Sequence, residues 1–445
     1  MEVIKYNFKY ISIFILMFML VLFFPLTVND LYFSRLSFSL LKSLVFGTNG
    51  YILSSYIALI LVNIRLLRIL FYVGTTISLF ILIKNIVNKK NQSLFYMAIF
   101  LFFLTNNVIL ASSYVNTTQF ANTFVPISFI FIIIYYLVYD KLYKLKRSVV
   151  YLLGIISTIL NPIYSLTLFI ALSIKVFGKQ DKSLIKLYSG VILGFGISLV
   201  SVLNNGTYKI PNISFNITHN IIPKIMDINV LLVTIFSVFL VYLASKIYKH
   251  KKNLKQNMLL SIGIFVLYVL ACLFSKSLIL NYIIFIFYIA SSFYVLLNCN
   301  NSIRFNNKIK IYYLFKVVYL LSLCFSNRVV EGDILFIIVI NILIIVELVN
   351  YLLPNNYLYN TWFILACVLL LSNVYIYGSV YNKYQKMNTI IKNNLECDKN
   401  VISLQLKYET NYLYRYIPYT NEEKDNYLKY YNISYKDDYD VYFLD

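Results

Sequence analysis

The stretch ILFIIVINILIIVELVNYLL occupies residues 334–353 and is almost entirely apolar. Its length matches the roughly 20 residues that a helix needs to cross a hydrocarbon core about 30 Å thick. Runs of the same kind recur along the whole chain, and most are of comparable length. We therefore predict an all-α polytopic membrane protein with about 11–13 transmembrane helices. The other runs are 11–26, 66–83, 93–104, 124–139, 184–203, 230–244, 258–274, 278–297, 311–325 and 362–377.

The composition agrees with a protein that works in or across a bilayer. Hydrophobic residues make up 60% of the chain and charged residues only 13%, where a soluble domain has about a quarter. The net charge of +21 comes largely from lysines clustered between alternate apolar runs, which the positive-inside rule predicts for cytoplasmic loops. We therefore expect the bilayer and its anionic headgroups, and no nucleic acid, as partners of these charges. The main clusters are 84–90, 141–147, 175–186, 246–255 and 304–310.

The alternation of basic and non-basic loops predicts a topology in the cell membrane. The first run is not followed by an A-x-A-like cleavage site, so we interpret it as an uncleaved span with a cytoplasmic N-terminus. Following the loops then places the C-terminus outside the cell. The N-terminal part, 1–380, is the predicted transmembrane domain, and 381–445 is a predicted extracytoplasmic tail. Strand-like alternation at 401–408 and 440–444 suggests a small α/β unit in that tail.

Two short apolar halves, 149–160 and 163–174, are interrupted by Asn161-Pro162. Basic residues flank both halves, so the pair forms either two thin spans or a re-entrant hairpin. A broken helix at membrane depth must face protein or a water-filled cavity, because its freed backbone groups need partners. Asn161 is therefore a candidate substrate-binding residue, although a proline-marked hairpin explains the break equally well.

Charged residues near the outer ends of the spans carry the other candidates. Asp30 follows Asn29 just after the first run, and its carboxylate could act as a general base or bind a divalent metal. It could also be a solvated interfacial carboxylate. Arg65 and Arg68 are three positions apart, so we expect them on one helix face, where paired guanidiniums suit phosphate binding. The alternative is that they only anchor the helix end.

Two outer loops supply further candidate substrate-binding residues. Arg328, Glu331 and Asp333 occupy a tight loop between two runs, where they form either half of a site or an ion pair of little value. The segment 112–122 offers hydroxyls and amides that could line a sugar site, as any exposed loop could. Its candidates are Asn116, Gln119 and Asn122.

Cofactor and metal motifs are missing from the sequence. The five cysteines are scattered without a C-x-x-C, the chain has only two histidines, and there is no Walker A motif or glycine-rich dinucleotide motif. A disulfide framework or a histidine-based metal site is therefore not expected. We predict no metal ligands, we leave the cofactor unknown, and a carboxylate-bound metal stays open.

The order of these features resembles the GT-C-like polytopic membrane proteins of bacteria, in particular a family akin to surface-polysaccharide glucosyltransferases. Those proteins have short motifs after particular spans, and this chain matches them loosely over most of its length. It departs from them where Asn29 and Pro162 replace acidic residues. The matching segments are Asn29-Asp30, Gln119-Phe120-Ala121-Asn122, Asn161-Pro162, Arg328-Val329-Val330-Glu331-Gly332 and Lys429-Tyr430-Tyr431-Asn432.

The resemblance implies transfer of a sugar from a polyprenyl-phosphate donor to a cell-surface glycan on the outer leaflet. In that reading Asp30 is the general base, and Arg65, Arg68 or Arg328 holds the departing phosphate. Three alternatives remain open. The chain could be a flippase or permease for a lipid-linked oligosaccharide, a polysaccharide polymerase, or a non-catalytic partner in glycan assembly.

Overall fold

The described part of the protein is a bundle of apolar helices, seen in a computed structural model. Five of the helices are long and apolar enough to cross a membrane, and further shorter apolar helices lie among them. The chain is an all-α polytopic membrane protein, as predicted. The structure describes residues 2–27, 30, 51–105, 107–178, 181–203, 217, 221, 223, 304–326, 331–352, 359–396, 401–405 and 440–444.

The elements follow from long apolar stretches that end at polar or basic residues. The main helices are α1 (Glu2–Leu22), α2 (Ile52–Asn63), α3 (Arg65–Val87), α4 (Ser93–Phe103), α5 (Val125–Val138), α6 (Arg147–Ile159), α7 (Pro162–Gly178), α8 (Lys182–Leu203), α9 (Arg304–Cys324), α10 (Leu335–Leu352) and α11 (Tyr359–Glu396). Shorter pieces connect some of them. These are the α-helical turns Asn107–Leu110 and Thr117–Gln119, the π-helical turns Ala111–Val115 and Phe120–Phe124, and the 3₁₀ turns Leu142–Lys144 and Glu331–Ile334.

Successive helices run back and forth between two ends of the bundle. One, which we call the Asp30 end, contains Asp30, the turns at 107–124, the α6–α7 corner and the turn Glu331–Ile334. At the opposite end, Asn91 donates to Asn350 across 3.2 Å, and the Tyr139 hydroxyl donates to the Asn85 carbonyl across 2.9 Å. This alternation agrees with the predicted order of loops, while the side of the membrane on which each end lies remains a prediction.

The predicted apolar segments and the helices correspond closely. Ten of the predicted segments fall within the described residues, and each overlaps a helix. The remaining three, 230–244, 258–274 and 278–297, lie outside the described residues. The sequence also contains a shorter apolar segment, 51–62. Most of it belongs to α2, which packs against α3 and the turns at 117–124.

The break at Asn161-Pro162 separates two helices, α6 and α7. It forms the corner between α6 and α7 at the Asp30 end, because the Asn161 side chain bonds to the Asn122 carbonyl there. Both helices start or finish at the opposite end, so the structure favours two thin crossings.

Close glycine contacts join α6 to α8. A Cβ added at Gly154 would lie 2.6 Å from the Leu187 carbonyl oxygen.

The innermost helices are α9 and α10. In the most apolar stretch of α10, 94% of the residues are buried inside the protein, and nearly all described side chains of α9 beyond position 307 are buried or half-buried. The outer helices would therefore contact lipid, whereas α9 and α10 pack mainly against other helices of the same chain.

The C-terminal part begins with a helix that continues past the predicted domain boundary. Helix α11 runs without interruption from Tyr359 to Glu396, so the boundary between 380 and 381 does not coincide with the end of an element. Beyond it, β1 (Val401–Gln405) and β2 (Asp440–Leu444) pair in parallel, with Val401 opposite Asp440. The residues between the two strands are outside the described ones, so an α/β tail remains a prediction.

Candidate functional site

Asp30 is the centre of a buried hydrogen-bond network. Its Oδ1 accepts from the backbone N–H and the hydroxyl of Thr118, both at 2.8 Å. Its Oδ2 accepts from the Thr27 N–H at 2.9 Å, the Thr27 hydroxyl at 3.0 Å and the Thr117 N–H at 3.3 Å. A carboxylate has about four lone-pair positions, so these five donors saturate Asp30. The side chain is fully buried and is not the solvated carboxylate that one reading of the sequence allowed.

Asn116 joins the same network and starts the short helix that follows it. Its Nδ2 donates to the Thr27 hydroxyl at 3.0 Å, and its Oδ1 accepts from the Gln119 N–H at 2.9 Å, which is the N-cap interaction of a helix. The Gln119 side chain is half-buried. The backbone carbonyl of Gln119 accepts a hydrogen bond from the Thr123 hydroxyl. Asn116 therefore shapes the loop around Asp30, and both of its side-chain bonds are internal.

Two π-helical turns flank this capped segment. They span Ala111–Val115 and Phe120–Phe124, and π turns occur frequently at functional sites. Aromatic rings pack against these turns. Phe120 stacks on Tyr72 of α3 with ring centroids 3.7 Å apart, and Tyr72 interacts electrostatically with both Asp30 and Arg68. The carboxylate and one guanidinium therefore lie around the same tyrosine.

Arg68 and Arg65 do not form the predicted pair. Arg68 is 8% exposed, and its Nε and Nη1 are buried without a hydrogen-bond partner. Arg65 is exposed because α3 begins at that residue, which puts it on the rim of the bundle. Of the two, only Arg68 is buried in the protein.

Asn161 and Asn122 meet at the α6–α7 corner. The Asn161 Nδ2 donates to the Asn122 carbonyl at 2.7 Å, and the Asn161 Oδ1 accepts from the Ile163 N–H at 2.9 Å at the start of α7. The Asn122 Oδ1 and the Ser165 hydroxyl are buried without partners. Ser165 lies one turn after Asn161 on α7, so one unpartnered polar atom lies on each of the two segments that meet at the corner.

Asp333 is buried in the turn Glu331–Ile334 instead of lying in an exposed outer loop. Its backbone carbonyl accepts from the Tyr319 hydroxyl at 2.7 Å. Burial, and then the charge of Asp333, raise the pKa of Tyr51 above its ordinary value. The neighbouring Gly332 faces Ser113, where an added Cβ would lie 3.3 Å from the serine Cβ, which brings the turn to the Asp30 end.

The structure thus gathers most of the predicted site residues at one end of the bundle. Asn29 and Arg328 lie outside the described residues, and only the backbone of Glu331 is described. The residues that are brought together are Asp30, Arg68, Asn116, Gln119, Asn122, Asn161 and Asp333.

Sequence reasoning missed a second set of buried polar residues. Lys308 is predicted to belong to a basic cytoplasmic loop, but it lies in α9 and forms a buried ion pair with Glu347 of α10 at 3.0 Å. Lys316 lies deeper in α9, is 1% exposed and donates to Asn341 at 2.9 Å. The signal was present in the sequence, because Lys316, Asn341 and Glu347 interrupt otherwise apolar runs.

The described residues also bear on metal binding. Among them, no group of three or more histidine, cysteine or acidic side chains could hold an ion. The Asp30 oxygens face N–H and O–H donors, which occupy the lone pairs that a cation would need.

The fold and this cluster define the class of the protein as a multi-pass helical membrane protein with a buried polar site at one end of its bundle. No protein-family model, curated protein or solved structure matches the chain. The resemblance to GT-C-like proteins therefore stays a prediction.

Proposed function

We propose that the protein is a membrane-embedded glycosyltransferase that moves a sugar from a polyprenyl-phosphate donor to a cell-surface glycan on the outer leaflet. The observation that carries this proposal is the buried guanidinium of Arg68, which has two unpartnered nitrogens and interacts electrostatically with the same tyrosine, Tyr72, as Asp30 does. A buried charge that lacks partners is costly, so such groups persist in proteins mainly where a ligand completes them.

A phosphate group is the ligand that this guanidinium suits best. Its planar array of N–H donors matches two phosphate oxygens at once, and such charge-assisted bonds are about twice as strong as neutral ones. A departing lipid phosphate gains negative charge as the bond to the sugar breaks. Arg68 would neutralise that charge in a dry site, where the effect is larger than in water.

Asp30 would be the base that accepts the proton from the acceptor hydroxyl. In the present structure its oxygens are saturated, so one donor has to leave first. The Thr118 hydroxyl is the donor that can rotate away from Oδ1, and an acceptor hydroxyl would take its place. The proton then passes to Asp30, the acceptor oxygen bonds to the sugar carbon, and the bond to phosphate breaks. The Asn122 Oδ1, which has no partner, would orient a sugar hydroxyl, and Asn161 would hold the Asn122 backbone in place.

The same proposal assigns the sides of the membrane. The opposite end carries the exposed basic residues Lys89, Lys90, Lys144 and Arg147, which the positive-inside rule places in the cytoplasm. The Asp30 end then faces outward, where lipid-linked sugars are consumed. The N-terminus would be cytoplasmic and the C-terminal tail extracytoplasmic.

The first test compares surface-glycan composition in the native host. A deletion and an Arg68→Gln allele should both remove the same sugar, because both abolish the phosphate contact. The matched control is Arg147→Gln, which changes an exposed arginine at the opposite end and should leave the glycan as it is. A normal glycan in the Arg68→Gln strain, at a matched protein level, would overturn the proposal.

The second test uses stability. Replacing Arg68 by methionine removes an unpartnered buried charge and keeps most of the side-chain volume. We expect the purified, substrate-free Arg68→Met protein to unfold at a higher temperature, by about 1 kcal/mol or more of stability, because functional charges are often destabilising. Arg147→Met should leave the unfolding temperature nearly unchanged. A lower unfolding temperature for Arg68→Met would show that Arg68 is a structural residue.

Transport of a lipid-linked oligosaccharide is the second candidate function. The buried Lys308–Glu347 pair favours it, because ionisable residues inside a bundle often line transport pathways. The two functions differ in what accumulates after deletion. A flippase mutant traps lipid-linked sugar on the inner leaflet, and a transferase mutant leaves it on the outer leaflet.

A further inference from the structure

The two innermost helices, α9 and α10, carry a line of buried polar side chains along their contact. At the opposite end of the bundle the Lys308 ammonium is bonded to Glu347, and it also donates to the Val87 carbonyl at 2.8 Å. The Tyr312 hydroxyl donates to the same carboxylate at 3.2 Å. The ring of Tyr139 faces Lys308 from the end of α5, with 5.8 Å between the ammonium and the ring centroid. This cluster is the first step of the line.

Lys316 and Asn341 form the next step, one turn beyond Tyr312 on α9. The ammonium donates to the Asn341 Oδ1 at 2.9 Å, and it lies 5.4 Å from the centroid of the Tyr313 ring. The Lys316 side chain is almost fully buried, at 1% exposure. Burial of an ammonium group costs several kcal/mol. A lysine at this position therefore indicates a structural or functional role that offsets the cost.

The last step reaches the Asp30 end. The Tyr319 hydroxyl donates to the Asp333 carbonyl at 2.7 Å and lies 3.4 Å from the hydroxyl of Tyr164 on α7. The Asp333 side chain is buried, and its charge interacts electrostatically with Tyr164 and Tyr51. The line therefore begins beside Val87 and ends beside the turn that contacts Ser113.

The spacing of these groups suits a relay. Tyr312, Lys316 and Tyr319 are four and three positions apart on one helix, so each interval is about one turn of 5.4 Å. A single bridging water can join polar groups across such an interval. From Asp333 to Glu347 the line covers about 20 Å of helix, which is most of the thickness of a hydrocarbon core.

The chemical groups along the α9–α10 line are better suited to protons than to metal cations. Sodium and calcium need several oxygen ligands around one point, whereas the oxygens at the Lys308 and Lys316 steps already accept hydrogen bonds from an ammonium group. Every member is instead a hydroxyl, amide, ammonium or carboxylate, and chains of such groups pass protons in membrane proteins. The competing reading is that these contacts only fix the register of α9 against α10.

We propose that the α9–α10 line is a proton path that joins the two ends of the bundle, a second activity that does not depend on the transferase function. A proton that binds Glu347 at one end forms an O–H bond there. At each following group one N–H or O–H bond forms while the next one breaks. One proton then leaves from the Tyr319 hydroxyl, beside the turn that holds Asp333, for each proton that enters, so no oxidant or other reactant is needed.

The test uses the full-length protein in liposomes that contain a pH-sensitive dye. A potassium gradient with valinomycin sets the membrane potential, and the rate of the internal pH change is measured. We expect wild-type liposomes to acidify faster than protein-free ones. Lys316→Met keeps the side-chain volume and should abolish the difference. Lys90→Met, which changes an exposed lysine at the opposite end, should behave like the wild type.

A second variant separates conduction from folding. Tyr319→Phe removes only a hydroxyl, so it should fold like the wild type and lose proton flux. Monodispersity and unfolding temperature are measured for every variant. Wild-type liposomes that acidify no faster than empty ones would overturn the proposal, as would a folded Lys316→Met or Tyr319→Phe protein with wild-type flux.

Discussion

At the scale of single residues, Asp30 and Arg68 are in opposite situations although both are buried beside Tyr72. Asp30 accepts five hydrogen bonds, whereas two nitrogens of Arg68 have no partner. Asp30 holds the loop around it in place, and in the proposed function it also accepts a proton, while Arg68 binds the donor phosphate. A saturated carboxylate stabilises the folded state, and an unsatisfied cation lowers its stability.

Replacing Asp30 by alanine should therefore destabilise the protein strongly. The change leaves the donors of Thr27, Thr117 and Thr118 buried without an acceptor, and we expect a loss of about 3 kcal/mol or more in the free energy of unfolding. Thermal unfolding of the purified protein measures it. Asp181→Ala is the matched control, since that carboxylate accepts one bond from the Ser183 N–H at the start of α8 and should cost about 1 kcal/mol. Equal losses for the two variants would refute the saturated network.

The sequence was sufficient to select Asp30, Arg68 and Asn161 as candidates, because each is a polar residue next to a long apolar run. It could not show that Asp30 is saturated, since its donors at Thr117 and Thr118 are far along the chain. The separation of Arg65 from Arg68 was equally hidden. It depends on where α3 begins relative to the surface of the bundle.

At the scale of elements, the close contact of α6 with α8 depends on small residues. A Cβ at Gly190 would collide with the Tyr151 carbonyl oxygen, and one at Gly194 would lie 2.9 Å from the Ile155 carbonyl oxygen. The Ser198 hydroxyl continues the contact, because it donates to the Thr158 carbonyl at 2.9 Å. Without side chains between them, the two helix backbones approach closely, as in other membrane helix pairs.

Gly190→Ala should therefore separate α6 from α8. The new methyl group meets rigid backbone, so we expect a loss of about 1–3 kcal/mol, the usual cost of overpacking. Gly196 on the same helix has nothing within 4 Å of an added Cβ, and Gly196→Ala should leave stability unchanged or raise it by up to about 1 kcal/mol. Thermal unfolding of both variants provides the comparison, and a neutral Gly190→Ala protein would contradict the packing.

Apolar runs predicted the helices well, because length and hydrophobicity are local properties of the chain. The order of burial was not predictable in the same way. Helix α9 carries several lysines and would seem suited to a surface, yet it is central. Its Lys308 is stabilised there by Glu347, a partner from another helix that no local pattern reveals.

At the scale of the whole molecule, the two ends of the bundle differ in charge and in polarity. The opposite end is rimmed with exposed lysines, and the Asp30 end holds buried carboxylates, amides and one buried guanidinium. The exposed basic residues Lys89, Lys90, Lys144 and Arg147 lie together at the opposite end, which agrees with the alternation of basic loops. Which end faces the cytoplasm follows only from the positive-inside rule.

Cysteine labelling of intact cells tests the orientation. In a background with the native cysteines replaced, Asn63→Cys adds a thiol at an exposed position near the Asp30 end, and Lys144→Cys adds one at the opposite end. A membrane-impermeant maleimide should label Asn63→Cys in intact cells. It should label Lys144→Cys only after permeabilisation. The reverse pattern would place the Asp30 end in the cytoplasm and exclude outer-leaflet chemistry.

Helix α11 is longer than the membrane is thick. Its 38 residues make a rod of about 57 Å, whereas the hydrocarbon core is about 30 Å thick. Tyr381 still contacts Phe23 at the end of α1, with ring centroids 6.0 Å apart, so roughly the last four turns extend beyond that level. The length of α11 therefore fixes how far along the helix axis the chain has moved beyond Tyr381 when it leaves the helix at Glu396, ahead of β1.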